Sequence, residues 1–347
     1  MPENADPISD PKNGPLNSAP SRRVDPRRVS DVFEAPDLAQ PGFVLSAKER
    51  EFFIEHGFLI KPQLVSDKLL KPAMDHIWSH LLQVVPVHPD TDWRLSRDDR
   101  STWVNPQWAV MPPHPESGPY QGRQPVEYQG RIVKMHDIGA EEFLLQLLPR
   151  NEHVVAVAQA LLSRSLRPIS RTRGVYPVFP SRDATDPSGT RRISGRALGP
   201  HTDQVCQQLN ACLYLEDVHA RSGGFTVYPG SHRCLFQAHT HESNYSPLPN
   251  YDETVRSVVQ DTTPLELVAP RGSVIFWHGR LLHSAGIHVG DDIRWAAFAD
   301  FTEDRLVLDD DEHRRLGQFE WFKDAKLFSD DAPVTTDMWR HWRLVCE

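Results

Sequence analysis

The stretch GPHTDQVCQQLNACLYLED, residues 199–217, decides the reading of this chain. Gly199-Pro200 is turn-prone, and His201 and Asp203 follow it, two positions apart, at the mouth of an apolar, β-prone run. On a strand, residues i and i+2 point to one face. An imidazole nitrogen and a carboxylate oxygen can then converge on one point. Such a pair suits a divalent first-row metal, but two ligands hold a metal poorly. A third has to come from elsewhere in the chain.

His283 is the candidate, in GSVIFWHGRLLHSAG at 272–286. Val274 to Trp277 reads as a buried strand, HGR as a turn. Arg294 then opens another β-prone run, RWAAFADF. His278, in the same run as His283, is the rival ligand and is otherwise a packed turn histidine. Two histidines and one carboxylate on one side of an iron leave three positions open, the facial triad of non-haem Fe(II) oxygenases. Those positions can accept a 2-oxo acid and dioxygen. The planar fork of Arg294 suits the far carboxylate of 2-oxoglutarate.

The totals fit an enzyme better than a nucleic-acid binder. The chain has 347 residues, 24% of them charged, and a formal net charge of -9. A nucleic-acid binder would want a basic face. The four cysteines, Cys206, Cys212, Cys234 and Cys346, form no CxxC pair, and read as reduced thiols of a cytoplasmic protein. No secretory signal is visible at the N-terminus. No apolar run approaches the ~18–20 residues of a membrane-spanning helix.

Along the chain, residues 1–41 read as a disordered Pro-rich tail with an arginine cluster at Arg22, Arg23, Arg27 and Arg28. Residues 42–347 read as one domain. Its first part, 42–165, is mainly helical support and pocket-covering segments. Ser46 and Glu49 have capping-box spacing, and Asn151 caps the strongly periodic NEHVVAVAQALLSR. The region 84–130, with Trp93, Trp103, Trp108 and Tyr120, reads as irregular structure over a core or over a substrate pocket, and its aromatics between 93 and 128 are candidates for a pocket wall. From 166 to 302 short β-prone runs alternate with turns, as in a jelly roll. Polar loops interrupt it near 181–199, a candidate lid, and 235–262. Residues 303–347 read as C-terminal helices carrying Trp321, Phe322, Trp339 and Trp342.

The motifs His201-Thr202-Asp203, GGFTVYPGSH at 223–232, GSVIFWHGRLLHSAG at 272–286 and Arg294, with EHGFLI at 55–60, resemble the phytanoyl-CoA dioxygenase-like family of Fe(II)/2-oxoglutarate oxygenases. The resemblance spans roughly residues 46 to 301. It implies an α+β fold, a double-stranded β-helix (jelly roll, cupin-like) braced by N-terminal and C-terminal helices. It also implies that His201, Asp203 and His283 bind iron and that Arg294 holds 2-oxoglutarate. The family's Gly-Ser-Gly is Ser284-Ala285-Gly286 here, which shifts the hydroxyl by one position; Ser284 is carried as a cofactor contact. An asparagine common soon afterwards is replaced by Ile287 and His288. Among Gln207, Gln208 and Asn210 at least one faces inward, and Gln207 is taken as the further cofactor contact. Arg171, Arg173 and Tyr176 are candidates for the pocket or its rim, with Lys134 and His136 behind them.

The expectation is an Fe(II)- and 2-oxoglutarate-dependent dioxygenase that uses O2 to hydroxylate or otherwise oxidise a small organic molecule. It needs neither nucleic acid nor membrane, and works as a monomer or homodimer. Asp203 argues against halogenation, which would need that coordination position for a halide. The alternatives are a cupin-like metalloenzyme that does not use 2-oxoglutarate, and a non-catalytic module binding metal and a 2-oxo acid.

Overall fold

The structure, a computed structural model, describes residues 45–85, 90–104, 106, 126–129, 131–180, 198–203, 208–309 and 327–345. The tail at 1–41, most of the 181–199 loop, Trp108, Tyr120, Gln207, Trp321 and Phe322 lie outside the described residues.

The chain enters through helix α1 (Ala47–His56), strand β1 (Phe58–Lys61) and helix α2 (Asp67–Val84). The capping box forms as its spacing implied: the Ser46 hydroxyl accepts from the Glu49 amide while the Glu49 carboxylate takes the Ser46 amide. Glu49 also meets the ammonium of Lys61, so the cap ties α1 to β1. Pro72 stands inside α2 rather than at its first turn. Its missing N–H leaves only the Lys68 carbonyl without a helical donor, at an exposed position where water can serve.

Next come β2 (Val126–Gln129), β3 (Ile132–Met135), α3 (Glu142–Leu147) and α4 (Glu152–Leu161). The Asn151 side chain accepts from the amides of His153 and Val154 at the start of α4. Then follow β4 (Gly174–Val175), β5 (Leu209–Tyr214), β6 (Phe225–Val227), α5 (Ser231–Gln237), α6 (Tyr251–Asp261), β7 (Leu265–Glu266), β8 (Val274–His278), β9 (His283–Ala285) and β10 (Ala296–Phe301).

All strand pairs are antiparallel. The larger sheet runs β1-β8-β5-β10-β4-β3-β2, the smaller β7-β6-β9. From β4 onward the chain alternates between them: β4 in the large sheet, a bridge at His201 to the small one, β5 back, β6 and β7 across, β8 back, β9 across, β10 back. That crossing pattern is the jelly roll expected from the short, evenly spaced strands.

Period-2 alternation divides the core in two. Cys212, Tyr214, Ile275, Trp277, Ala296 and Phe298 face Phe225 and Val227 between the sheets. Val274, Phe276, Ala297, Ala299 and Phe301 face outward, onto α2, α3 and α4. Tyr214 stitches the sheets together: its hydroxyl donates to Leu267 O (2.7 Å) and accepts from Phe225 N (2.8 Å).

Two expectations change here, and an open one narrows. The 235–262 segment carries helix α6, whose Tyr251, Val255, Val258 and Val259 fall on one stripe and join Leu235 and Leu282 in a small cluster. The described part of 303–347 has no α-helix, only bridges, turns and a short 3-10 helix at Arg343–Val345. Trp339 and Trp342 still pack inward, on Phe53 of α1 and on His278. Finally, Trp103 packs on Trp78, which in turn packs on Trp295, in the outer core, so it supports the sheet from behind.

Candidate metal centre

His201 and His283 are cross-strand neighbours. The His201 amide donates to His283 O (2.9 Å), and the His283 amide returns to His201 O (3.0 Å). Their ring centroids lie 4.5 Å apart. Asp203, two residues on, brings Oδ1 to 3.8 Å from His201 Nε2 and Oδ2 to 3.7 Å from His283 Nε2. The three ligand atoms all lie within 4.8 Å of one another. Among the described residues this is the one such group of metal-binding type.

The donor chemistry fits a metal. His201 Nδ1 faces Gly199 O at 2.8 Å and His283 Nδ1 faces Leu281 O at 2.9 Å. A carbonyl can only accept, so each Nδ1 carries the proton and each Nε2 keeps a lone pair for the centre. The His283 ring is fixed between Phe225 (5.0 Å, 27°) and Trp277 (5.6 Å, 60°).

Burial lowers the His201 imidazole to about 4, helped by His283 and opposed by Asp203. His201 stays about a third exposed at its edge, so water softens that shift. Burial likewise lowers His283, against the pull of Asp203. For Asp203 burial alone would raise the carboxyl, but Arg173, His283 and His201 together hold it well below the usual carboxylate range. All three groups thus stand deprotonated at neutral pH, the form a metal requires.

Two arginines serve this interior differently. Arg173 is buried and reaches Asp203 Oδ2 through Nη1 at 2.9 Å. Its Nε and Nη2 take both oxygens of Asp300, at 2.8 and 2.6 Å. Arg294 is also buried, beside Cys212 and Tyr214. It donates from Nε to Gly223 O (3.0 Å) and from Nη1 to Tyr176 O (3.3 Å), and pairs with no carboxylate among the described residues. Burial lowers it, with Cys212, Tyr214 and Glu266 opposing. Tyr176 packs on Phe298 (4.7 Å) with its hydroxyl 3.4 Å from His136 Nδ1. Lys134 pairs with Glu127 at 3.3 Å over the Tyr176 ring.

The structure therefore brings together His201, Asp203 and His283, with Arg294 in the same interior. Ser284 is a correction. Its partner across the sheet is Thr226, whereas His283 and Ala285 face Val227 and Phe225 on the inner side. One step along the strand turns Ser284 to the other face. His278 lies on the outer face of β8, stacked on Trp342 (4.9 Å, 18°) and away from the triad. Gln208 caps the far end of β5 by exchanging hydrogen bonds with Glu303 (3.0 and 2.8 Å). His239, in the 235–262 segment read as a polar loop, is buried with Nδ1 on Leu235 O. Asp300 was missed. Its signal was there: 294, 296, 298 and 300 share one strand face.

Comparison with known proteins agrees over the segment that carries the triad. Residues 194–296 match the family model for phytanoyl-CoA dioxygenase (PhyH), so the family resemblance read from the motifs holds there. No curated protein matches the chain. Among solved structures, the carbocyclase SnoK from nogalamycin biosynthesis is 14% identical, over 75% of this chain and 84% of its own, with a TM-score of 0.43. EctD from S. alaskensis with 2-oxoglutarate and 5-hydroxyectoine is 16% identical, over 82% and 86%, at 0.44. HygX from Streptomyces hygroscopicus with nickel and 2-oxoglutarate is 14% identical, over 76% and 89%, at 0.43. At those identities and scores none of them speaks to the activity of this chain.

Proposed function

We propose that this chain is an Fe(II)- and 2-oxoglutarate-dependent oxygenase acting on a small organic molecule. The observation that carries the reading is the meeting of His201, Asp203 and His283, each presenting a deprotonated donor to one point. Iron held by His201, Asp203 and His283 would, with 2-oxoglutarate and dioxygen, supply the oxidation of an unactivated C–H bond, releasing succinate and carbon dioxide.

The chain's own residues do the rest. Gly199 O and Leu281 O fix which imidazole nitrogens are offered. Phe225 and Trp277 lock the His283 ring and exclude water behind it. Arg294 supplies a buried cation that pairs with no carboxylate among the described residues, the complement of a dicarboxylate's far end. That arginine favours 2-oxoglutarate use over a cupin-like reaction without it.

The test is an anaerobic titration of the protein with Fe(II) and 2-oxoglutarate, read by the visible charge-transfer band. The band should form, and His201→Ala or Asp203→Ala should abolish it. Oxygen-dependent succinate release then separates an oxygenase from a module that only binds. Wild-type protein that forms no band and releases no succinate defeats the proposal.

A further inference from the structure

The triad has a second layer that its spacing in the chain does not announce. Arg173 spends all three guanidinium nitrogens on carboxylates of the interior: Nε and Nη2 on the two oxygens of Asp300, Nη1 on Oδ2 of Asp203. Asn210 stands 3.4 Å from Nη2. Arg173, Asp203 and Asp300 are 7%, 13% and 13% exposed, so little water competes for them. Asp300 is held by β10, Asn210 by β5, and Arg173 precedes β4, three neighbouring strands of the large sheet; Asp203 comes from the segment that bridges to the small one. The guanidinium is therefore a strut between the sheets that ends on a metal ligand.

We infer that Arg173, seated by Asp300, is a positioning residue that fixes the Asp203 carboxylate so that a single oxygen serves the metal and the remaining positions stay open. The inference rests on the metal-site reading above. A carboxylate free to turn can give both oxygens to one ion and fill a position that co-substrate needs. With Oδ2 held by Arg173, that rotation breaks a charge-assisted hydrogen bond. The Arg173–Asp300 pair carries no net charge, so it orients Asp203 without adding net charge to the site. Lysine in place of Arg173 keeps the cation but cannot bridge two carboxylates in one plane.

The experiment uses Co(II) alone as the probe, with its d–d absorption as the readout, on full-length protein. Arg173→Met strands the Asp300 carboxylate and is a poor test by itself. Arg173→Met/Asp300→Leu removes both charges together and leaves only Asp203, whose carboxylate the added metal itself neutralises. That double variant should bind Co(II) about 10–100-fold more weakly, with a changed d–d band, and Arg173→Lys should move both in the same direction. A merely structural role predicts a lower melting temperature with the Co(II) affinity and band of the wild type, and that result overturns the inference while the metal site stands. If His201→Ala binds Co(II) as tightly as wild type, the metal-site reading fails and the inference falls with it.

Discussion

Arg294 is the residue whose surroundings say most about what it awaits. A guanidinium taken out of water is costly unless a counter-charge meets it. Arg173 has two carboxylates; Arg294 has only the carbonyls of Gly223 and Tyr176 among the described residues. A dianionic co-substrate would complete it. Arg294→Ala should therefore weaken 2-oxoglutarate binding by about 2–5 kcal/mol, while Fe(II) binding, measured separately, stays close to wild type. Ser284→Ala is the contrast. The Ser284 hydroxyl is buried without a hydrogen bond among the described residues, on the face away from His283. Removing an unpaired hydroxyl is close to neutral, so 2-oxoglutarate affinity should be unchanged. Equal losses in the two variants would show that the register argument has the wrong face.

At the scale of the element, the short strand β4 does unusual work. Arg173 and Tyr176 are three apart and should lie on opposite faces, yet both reach the interior. Gly174 between them resolves this with φ +91°, in the left-handed region. A Cβ there would sit 1.9 Å from Met135 O on the neighbouring strand. Gly174→Ala should cost more than about 2 kcal/mol in chemical denaturation and should disturb Co(II) binding through Arg173. Variant protein with wild-type stability would mean that the strand does not need this twist.

The same strand marks where sequence reading stops. His201, Asp203, His283 and Arg294 were legible because each sits in a recognisable motif with β-prone flanks, and strand parity carries their direction. Ser284 misled because a one-residue shift in a motif reverses the face. Arg173 could not be placed, since the alternation that sorts faces breaks at a glycine whose conformation no spacing reveals. Helix α6 hid in a polar loop because its apolar stripe is narrow: only Val258 of its residues is fully buried.

For the molecule as a whole, the histidines outside the metal centre set its tolerance of acid. His232 and His278 sit back to back, ring centroids 5.7 Å apart, roofed by Trp339 and Trp342 from the C-terminal segment. Burial lowers His232 to about 3, with Arg233 and His56 adding to it and Ile54 O opposing. Burial lowers His278 well below its usual range, with His232 and Arg280 acting the same way. His239 and His288 are lowered to about 4 and about 3, again chiefly by burial. In the unfolded chain all four titrate near 6.5. Between that value and the folded ones, the unfolded state binds more protons, so stability rises with pH and is lost as pH falls below about 6.5. Each such group costs on the order of 1–2 kcal/mol by about pH 5. Thermal unfolding of the metal-free protein should thus show a midpoint that drops steadily from neutral pH to about pH 5. His232→Gln, which keeps a donor for Ile54 O but cannot titrate, should flatten that slope. A midpoint that is level across this range, or a slope that His232→Gln leaves unchanged, would show that the cluster under the C-terminal tryptophans opens to water before it accepts a proton.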